Sequence, residues 1–277
     1  MEIEGSALVT GASRGLGRAV ALALADRGFD VVAGVRDPDA ARSLERRREG
    51  RVGSVELLRL DLRDPGEIAF PSDLRILVNN GGVRRAYLPV ESTDREEWRT
   101  VFETNVFGTL EVTRQAIPVL RTAGGGVIGN VTSAAILAPR PFFGTYCGSK
   151  AAVSAITDIL RLEVMGFGIR VLELVPGPIE TDMLRDSTMF RPPDAAADPR
   201  YASLAERAFP AGRGAKATRT EPAEAASRIV DDLLDGTGPV RRGCDPVSAA
   251  ALDTWRSGND EERWERARNS FGGPRED

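Results

Sequence analysis

The stretch Thr10-Gly11-Ala12-Ser13-Arg14-Gly15-Leu16-Gly17 decides the fold, because it stands between a short apolar segment and a helical one. Ser6–Thr10 has the composition of a buried strand, and Leu16–Arg27 is predicted as a helix that ends near Gly28. Glycine lets the backbone turn tightly and approach a pyrophosphate, and the free N–H groups at a helix start attract anions. This turn therefore predicts a dinucleotide site, although a tight strand-to-helix turn without a ligand has the same composition.

The rest of the chain continues this alternation of short apolar strands and longer helical stretches. Such alternation predicts an α/β fold, a doubly wound parallel sheet of the Rossmann type with helices on both faces. No internal repeat or linker divides the chain, so residues 1–277 are expected to form a single domain. Further strands are predicted at 30–35, 54–60, 75–79, 127–132 and 169–175, and further helices at 98–121, 145–165 and 221–235.

Three segments depart from the alternation. Only Leu62–Leu74 lies between the third and fourth strands, which leaves room for at most about one helical turn in a parallel crossover. Residues 183–220 are rich in Pro, Ala and Arg without a clean period, and we expect a substrate lid with one or two short helices there. Residues 246–277 form a C-terminal tail, charged and expected to be helical over Trp255–Phe271.

The composition excludes several classes of function. The 277 residues contain 37 Lys and Arg and 41 Asp and Glu, a net charge of −4, without a basic block for nucleic acid or an anionic membrane. Histidine is absent, which excludes His-based triads and His metal ligands. Cys147 and Cys244 have no metal-site or disulfide spacing, so no metal is expected. With no signal-peptide pattern and no apolar run of membrane-spanning length, a cytoplasmic protein is expected.

Further motifs follow the glycine turn in a characteristic order. Asp61-Leu62 follows the third strand, Asn79-Asn80-Gly81-Gly82 the fourth, and Asn105 lies in the long predicted helix. Ser133 follows the fifth strand, Tyr146-x-x-x-Lys150 comes next, and Pro176-Gly177-Pro178-Ile179-Glu180-Thr181 closes the set. This series, over residues 5–182, resembles the short-chain dehydrogenase/reductase family, with Gly82 where the family has Ala. It is most similar to the branch of hydroxysteroid and retinol dehydrogenases.

Tyr146 and Lys150 stand at i, i+4 spacing on a predicted helix, so they share one face. A free phenol has a pKa of about 10, and lowering it by about three units takes about 4 kcal/mol. A cation roughly 4 Å away at an effective dielectric near 20 supplies about that energy, so we expect Lys150 to lower the pKa of Tyr146. In isolation such a pair is usually a solvated helix face, and a serine after a strand is usually a cap.

The resemblance implies a role for each residue of the catalytic group. Tyr146 would be the general acid/base, Ser133 would orient the substrate oxygen, and Lys150 would also hold the nicotinamide ribose. Asn105 would fix a water in a proton relay, although an asparagine there is more often a helix irregularity or a backbone partner. Cys147 is expected to be core packing and not a nucleophile. The implied cofactor contacts are Gly11, Ser13, Arg14, Gly15, Leu16, Gly17, Asp61, Leu62, Asn80, Gly81, Gly82, Tyr146, Lys150, Pro176, Gly177, Ile179 and Thr181.

The end of the second strand bears on the choice of cofactor. An acidic residue there binds the ribose 2′-hydroxyl and repels a 2′-phosphate, but in the family's register this position is Val35, followed by Arg36. Arg14 lies inside the glycine turn. Two guanidinium groups favour a 2′-phosphate, so NADP(H) is expected. Asp37 could weaken this preference by pairing with Arg36.

The expected reaction is hydride transfer between NADP(H) and a small-molecule carbonyl or alcohol, with a hydrophobic substrate. Small residues on the Tyr146 helix favour close contact between helices, and a homodimer or homotetramer is expected. A non-catalytic dinucleotide-binding regulator and a transferase with another nucleotide cofactor are the alternatives. The catalytic group argues against the first, and the Tyr–Lys pair has no use in the second. Apolar residues that could line the substrate pocket, or simply pack the lid onto the body, are Phe142, Phe143, Met183, Leu184, Met189, Phe190, Tyr201, Leu204 and Phe209.

Overall fold

A computed structural model describes residues 4–47, 49–50, 52–187, 193–210 and 218–272. In this part of the chain, seven parallel strands form one sheet in the order β3-β2-β1-β4-β5-β6-β7. The order runs outward from β1 in both directions, so the carboxyl ends of β1 and β4 form the switch point where such sheets bind ligands. The strands are β1 Ser6–Thr10, β2 Asp30–Val35, β3 Val55–Arg59, β4 Leu74–Asn79, β5 Gly126–Val131, β6 Ile169–Val175 and β7 Arg241–Gly243.

Helices cover both faces of the sheet. The α-helices are α1 Gly15–Asp26, α2 Pro38–Ala41, α3 Arg95–Phe102, α4 Gly108–Thr122, α5 Gly144–Val164, α6 Asp182–Arg185, α7 Ala202–Ala208, α8 Pro222–Leu234, α9 Pro246–Ser257 and α10 Asp260–Phe271. One hydrophobic core lies between the sheet and the packed pair α1 and α8, and a second contains buried residues of α4 and α5. None of these helices, over the described residues, is both long and apolar enough to cross a bilayer. The cytoplasmic location stays a prediction.

The predicted α/β fold with a doubly wound parallel sheet is confirmed. The segment after β3 contains no helix among its described residues, in agreement with the shortness of the crossover. The long helix predicted over 98–121 is instead divided into α3, a π-helical turn at Glu103–Phe107, and α4. The short strand β7 and the helix α2 were not predicted, because three or four residues carry too little periodicity to be recognised.

The C-terminal half departs furthest from a simple sheet with helices. Over its described residues, the segment after β6 forms α6, a 3-10 turn at Asp194–Ala197 and α7, whereas one or two short helices were expected for the lid. The tail is two helices, because the chain leaves the helical conformation at Gly258 and Asn259 caps α10 by accepting from the Glu262 N–H. The assignment of 183–220 as a substrate lid stays a prediction, and its residues Met189 and Phe190 lie outside the described part.

Candidate active site

The glycine turn bends between β1 and α1 through two residues in the left-handed region. Gly11 has φ +65° and Gly15 has φ +56°, which side-chain-bearing residues rarely adopt. At Gly17 a Cβ would lie 2.3 Å from Asn80 Nδ2 and 2.4 Å from the Gly11 carbonyl oxygen. No side chain of the described residues caps the start of α1, so its first N–H groups remain available to an anion. This geometry fits the pyrophosphate of a dinucleotide.

The turn after β4 packs directly onto the glycine turn. The side-chain amide of Asn80 donates to the Thr10 carbonyl oxygen at 3.1 Å, and the Gly81 N–H donates to Thr10 Oγ1 at 2.9 Å. A Cβ on Gly11 would lie 2.6 Å from Gly81 Cα, so the two backbones are in contact. Asn80 and Gly81 therefore hold the two turns together, and this structural role stands beside their predicted contact with the cofactor.

Three predicted site residues from distant parts of the chain meet beside this turn. A Cβ at Gly82 would lie 3.1 Å from Asn105 Oδ1 and 3.4 Å from Lys150 Nζ. Lys150 is buried on α5, and its ammonium donates to the Val131 carbonyl oxygen at 2.8 Å. Burial lowers the pKa of Lys150 to about 8, because a low-dielectric environment disfavours the charged amine.

Asn105 lies in the π-helical turn Glu103–Phe107. Its Nδ2 donates to the Val83 carbonyl oxygen and to Ser149 Oγ, both at 2.9 Å, and its Oδ1 accepts from the Val83 N–H at 2.7 Å. The residue is thus both a helix irregularity and a backbone partner, and π-turns are frequent at functional sites. Its hydrogen bonds fix the segment that follows Gly82, while its predicted role in a water relay stays a prediction.

Ser133 and Tyr146 come together just beyond the carboxyl end of β5. Ser133 Oγ caps the 3-10 turn Ala134–Ile136 by accepting from the Ala135 N–H at 3.1 Å. Tyr146, in the first turn of α5, is only 9% exposed and shares a hydrogen bond with the Ser133 hydroxyl. The serine is therefore a cap and also a neighbour of the phenol, as a substrate-orienting hydroxyl must be.

The electrostatic setting of Tyr146 differs from the expectation. Burial raises the pKa of its phenol, and this effect outweighs the Arg84 guanidinium and the Ser133 hydrogen bond, which act in the opposite direction. Among the described residues, the cation that lowers this pKa is Arg84 and not Lys150. The Arg84 Cζ lies 5.7 Å from the centre of the Tyr146 ring, whereas the Lys150 ammonium is hydrogen-bonded to Val131.

The residues predicted to select the cofactor lie at the surface. Arg36 is exposed directly after β2, and Asp37, which could have paired with it, instead caps α2 by accepting from the Asp39 and Ala40 N–H groups. Arg14 is also exposed, with Nη1 3.5 Å from an Asp182 carboxylate oxygen. Such exposed pairs contribute little stability, so Arg14 can exchange this partner for a phosphate at small cost.

The segments after β3 and β6 place the remaining predicted contacts. Asp61 accepts from the Arg63 N–H at 3.0 Å. Leu62 is buried, and its Cδ1 would lie 2.5 Å from a Cβ on Gly81. Leu62 therefore packs beneath the turn as part of the core, which adds a structural role to its predicted cofactor contact.

The motif after β6 returns the chain to the glycine turn. A Cβ on Gly15 would lie 3.1 Å from Thr181 Cγ2, so the first and last motifs are in contact. The Pro176 carbonyl oxygen accepts from the Ala134 N–H at 2.9 Å, next to Ser133. Other predicted residues here and in the turn have packing positions as well: Ile179 is buried, Leu16 packs against the core, and Ser13 is half-buried.

The aromatic residues before Tyr146 and in the lid form one cluster. Phe143 and Phe209 stack with ring centres 5.9 Å apart, and Phe142 contacts Tyr201 at 6.1 Å. Phe142 has φ +69°, a strained conformation for a bulky residue that is found mostly where function or packing demands it. Phe143, Phe209 and Leu184 line a cleft beside Ser133. The cluster therefore both packs the lid onto the body and contributes to a pocket.

Cys147 follows Tyr146 but does not have the surroundings of a nucleophile. Burial raises the pKa of its thiol to about 11, so the thiol stays protonated at neutral pH. It donates to the Ala135 carbonyl oxygen at 3.4 Å. The interpretation of Cys147 as a packing residue is confirmed by this geometry.

Comparison with known proteins identifies the family. The sequence profile described as short chain dehydrogenase matches residues 6–191. The chain belongs to this family, and it is an oxidoreductase. A sulfoacetaldehyde reductase from Chromohalobacter salexigens is 37% identical over 183 residues, 63% of this chain and 72% of that protein. A 3-oxoacyl-[acyl-carrier-protein] reductase from Thermotoga maritima is 33% identical over 192 residues, 66% of this chain and 78% of that protein.

A solved structure agrees over the whole length. A short chain dehydrogenase from Burkholderia cenocepacia, in complex with NADP, superposes with a TM-score of 0.73 and 26% identity, covering 99% of this chain and 100% of that one. The family and the fold class are therefore confirmed. The nearness to the branch of hydroxysteroid and retinol dehydrogenases stays a prediction.

Sequence reasoning missed two residues of this short-chain dehydrogenase site. Asp245 is fully buried, accepts from the Gly177 N–H at 2.6 Å and caps α9. The sequence signal for Asp245 was its position directly before Pro246 and a helical stretch, because Asp followed by Pro is typical of a helix start. Arg84 had no such signal, because only the folded chain brings its guanidinium to Tyr146.

Replacing Lys150 by Met should change how stability depends on pH. The folded pKa of about 8 lies below the ordinary 10.5, so between these values the unfolded chain binds more protons than the folded one. The wild-type free energy of unfolding therefore gains a contribution that increases as the pH rises through this interval. Urea unfolding of both proteins should be measured from pH 7 to pH 10.5. The free energy of unfolding of the wild type, relative to that of Lys150→Met, should increase by up to about 1.4 kcal/mol per pH unit. A difference that does not change with pH would contradict the buried ammonium.

Proposed function

We propose that this short-chain dehydrogenase uses NADP(H) to reduce a carbonyl group, or to oxidise the corresponding alcohol, with Tyr146 as the acid/base. The observation that carries the proposal is the buried Tyr146 phenol, hydrogen-bonded to Ser133 beside the cleft. The same end of the sheet carries the glycine turn, so hydride donor and proton donor would meet at one carbonyl. A regulator that only binds a dinucleotide would not need a proton donor next to the hydride donor.

When bound, NADPH supplies the hydride that the carbonyl carbon accepts, and leaves as NADP⁺. Tyr146 donates its phenolic proton to the carbonyl oxygen, so one hydride and one proton convert C=O into an alcohol. The phenol is protonated at neutral pH, but burial raises its pKa and so makes it a weaker acid. The Arg84 guanidinium and the Ser133 hydrogen bond act in the opposite direction and favour release of the proton. The Ser133 hydroxyl hydrogen-bonds the same oxygen and orients it.

The residues present fit the cofactor. The glycine turn and the start of α1 would hold the pyrophosphate, and Lys150 would hold the nicotinamide ribose from its position beside Gly82 and Asn105. Arg36 and Arg14, both exposed, would bind a 2′-phosphate. The NADP bound in the Burkholderia cenocepacia relative supports this assignment.

Tyr146→Phe removes the proton donor and leaves the ring in place. Turnover of a ketone panel should fall by about 10²-fold or more, whereas NADPH affinity, followed by its fluorescence, should change by no more than about 10-fold, since one hydrogen bond to the ribose contributes about 0.5 to 1.5 kcal/mol. Tyr201→Phe, which removes a hydroxyl from the lid, is the control and should retain activity. If the wild type binds NADPH tightly but turns over no ketone, aldehyde or quinone, the protein is instead a dinucleotide-binding regulator without catalytic activity. Loss of turnover and of NADPH binding together in Tyr146→Phe would indicate misfolding.

Arg36→Asp should move the cofactor preference toward NADH. The carboxylate would repel a 2′-phosphate and accept from a 2′-hydroxyl, so the ratio of kcat/KM with NADPH to that with NADH should fall by on the order of 10-fold or more. Arg268→Asp on α10 makes the same change of charge away from β2 and should leave the ratio unchanged. Equal or better efficiency of the wild type with NADH would refute the NADP assignment.

We further infer a homodimer or homotetramer formed through the outer face of α5 and the end of the π-helical turn. Phe107, Ile159 and Leu162 are 54%, 57% and 68% exposed there, and Phe107 and Ile159 line the same surface pocket. Large exposed apolar side chains grouped in this way are typical of an interface between copies. Light scattering should give a mass of two or four chains, and Ile159→Lys should reduce it. A monomeric wild type would contradict the assembly.

A further inference from the structure

A cleft of about 1280 Å³ opens beside Ser133. Apolar side chains such as Leu137, Phe143 and Phe209 form much of its wall. None of the described residues that line it is Asp or Glu, so the formal charge of this described lining comes from arginines alone. A cleft lined by one sign of charge concentrates ligands of the opposite sign. The arginines are Arg84, Arg140, Arg207, Arg263 and Arg266.

Arg207 and Arg263 form hydrogen bonds with other residues of the cleft wall and its helices. Arg263 pairs with Asp260 and donates to the Trp255 and Gly258 carbonyl oxygens, both at 2.7 Å. Arg207 donates to the Ser203 hydroxyl at 2.6 Å and to a backbone carbonyl of α10. Their contacts hold α7, α9 and α10 together as one wall of the cleft.

Arg84 is the arginine beside the reacting group. It is half-buried, and its Cζ lies 5.4 Å from the Tyr87 ring centre and 5.7 Å from the Tyr146 ring centre. Its Nη2 donates to the Met183 carbonyl oxygen. A guanidinium has five N–H donors in its plane, and contact with aromatic rings uses its faces. Its edge can therefore still offer a two-pronged hydrogen bond to an oxyanion.

We propose that the substrate is a carbonyl compound that carries an oxyanion a few bonds from the carbonyl, and that Arg84 binds this oxyanion. The separation follows from geometry, because Arg84 lines the cleft together with Ser133, and its Cζ lies 5.7 Å from the centre of the Tyr146 ring. This inference rests on the proposed function, since it assumes that the carbonyl oxygen binds to Tyr146 and Ser133. The anion takes no part in the reaction and leaves unchanged on the alcohol.

The inference modifies the expectation of a hydrophobic substrate. The apolar wall suits the carbon skeleton, but an uncharged molecule would bury Arg84 without a counter-charge. An anionic one supplies that charge and gains hydrogen bonds that are stronger than neutral ones. The preference for the anionic substrate should appear as a higher kcat/KM, because a site built to bind a polar group rejects an analogue that lacks this group.

The test compares anionic carbonyl compounds with neutral partners that lack the oxyanion, using the full chain and NADPH. The pairs are 4-oxopentanoate with its methyl ester, 2-oxopropane-1-sulfonate with 1-(methylsulfonyl)propan-2-one, and dihydroxyacetone phosphate with dihydroxyacetone. In at least one pair the anion should have the higher kcat/KM, by on the order of 10-fold or more. The three pairs show whether the oxyanion is a carboxylate, a sulfonate or a phosphate.

Arg84→Met keeps the aliphatic stem and removes the charge. It should lower kcat/KM for the preferred anion by on the order of 10- to 100-fold and change that of the neutral partner much less. Arg84→Lys should restore part of the preference. Arg85→Met is the matched control, because the neighbouring Arg85 pairs with Glu97 at 2.7 Å outside the cleft.

Equal losses for anion and neutral partner in Arg84→Met would overturn the proposal, since Arg84 would then act only on Tyr146. A wild type that prefers every neutral compound would overturn it as well, while leaving the reductase function intact. Binding of the same six compounds to Tyr146→Phe with NADP⁺, measured by calorimetry, gives a readout independent of turnover. Anion binding that Arg84→Met abolishes supports the proposal, and absence of any anion binding refutes it.

Discussion

The buried ammonium of Lys150 is the interaction on which the rest of the site depends. A charge in the interior is tolerated only with hydrogen-bond partners, and the Val131 carbonyl oxygen at the end of β5 supplies one at 2.8 Å. This contact ties α5 to the carboxyl edge of the sheet. It also fixes Lys150 Nζ so close to Gly82 that a Cβ there would lie 3.4 Å away, which brings the turn after β4 into the same site.

The parallel sheet makes this convergence possible. All its strands end at one edge, so motifs that are far apart in sequence meet without long loops. Gly11 contacts Gly81, Gly15 contacts Thr181, and Ser133 lies beside Pro176. Several residues first identified as cofactor contacts are therefore also packing residues, and glycine is required at Gly11 and Gly17 as much for backbone contact as for an approaching phosphate.

The electrostatics of the site divide between two cations. Lys150 lies on the side of Asn105 and Gly82, where a ribose would bind. Arg84 lies over the Tyr146 ring and lines the substrate cleft. Burial raises the pKa of Tyr146, and the Arg84 guanidinium acts against this effect. A cation on the substrate side can act on the phenol and on the substrate together, which links catalysis to the choice of substrate.

The amino-acid sequence by itself determined six of the seven described strands and the order of the motifs that follow them, and it identified the candidate catalytic residues. Apolar periodicity and glycine placement are local properties, and β1, β2 and β6 were predicted to the residue. Only the tertiary structure decided the π-turn at Asn105, the contact of Asp245 with Gly177 and the position of Arg84. Each of these depends on contacts between residues far apart in the chain, and the direction of a guanidinium or a buried carboxylate leaves no periodic pattern in sequence. The balance of desolvation and charge at Tyr146 likewise depends on burial, which exists only after folding.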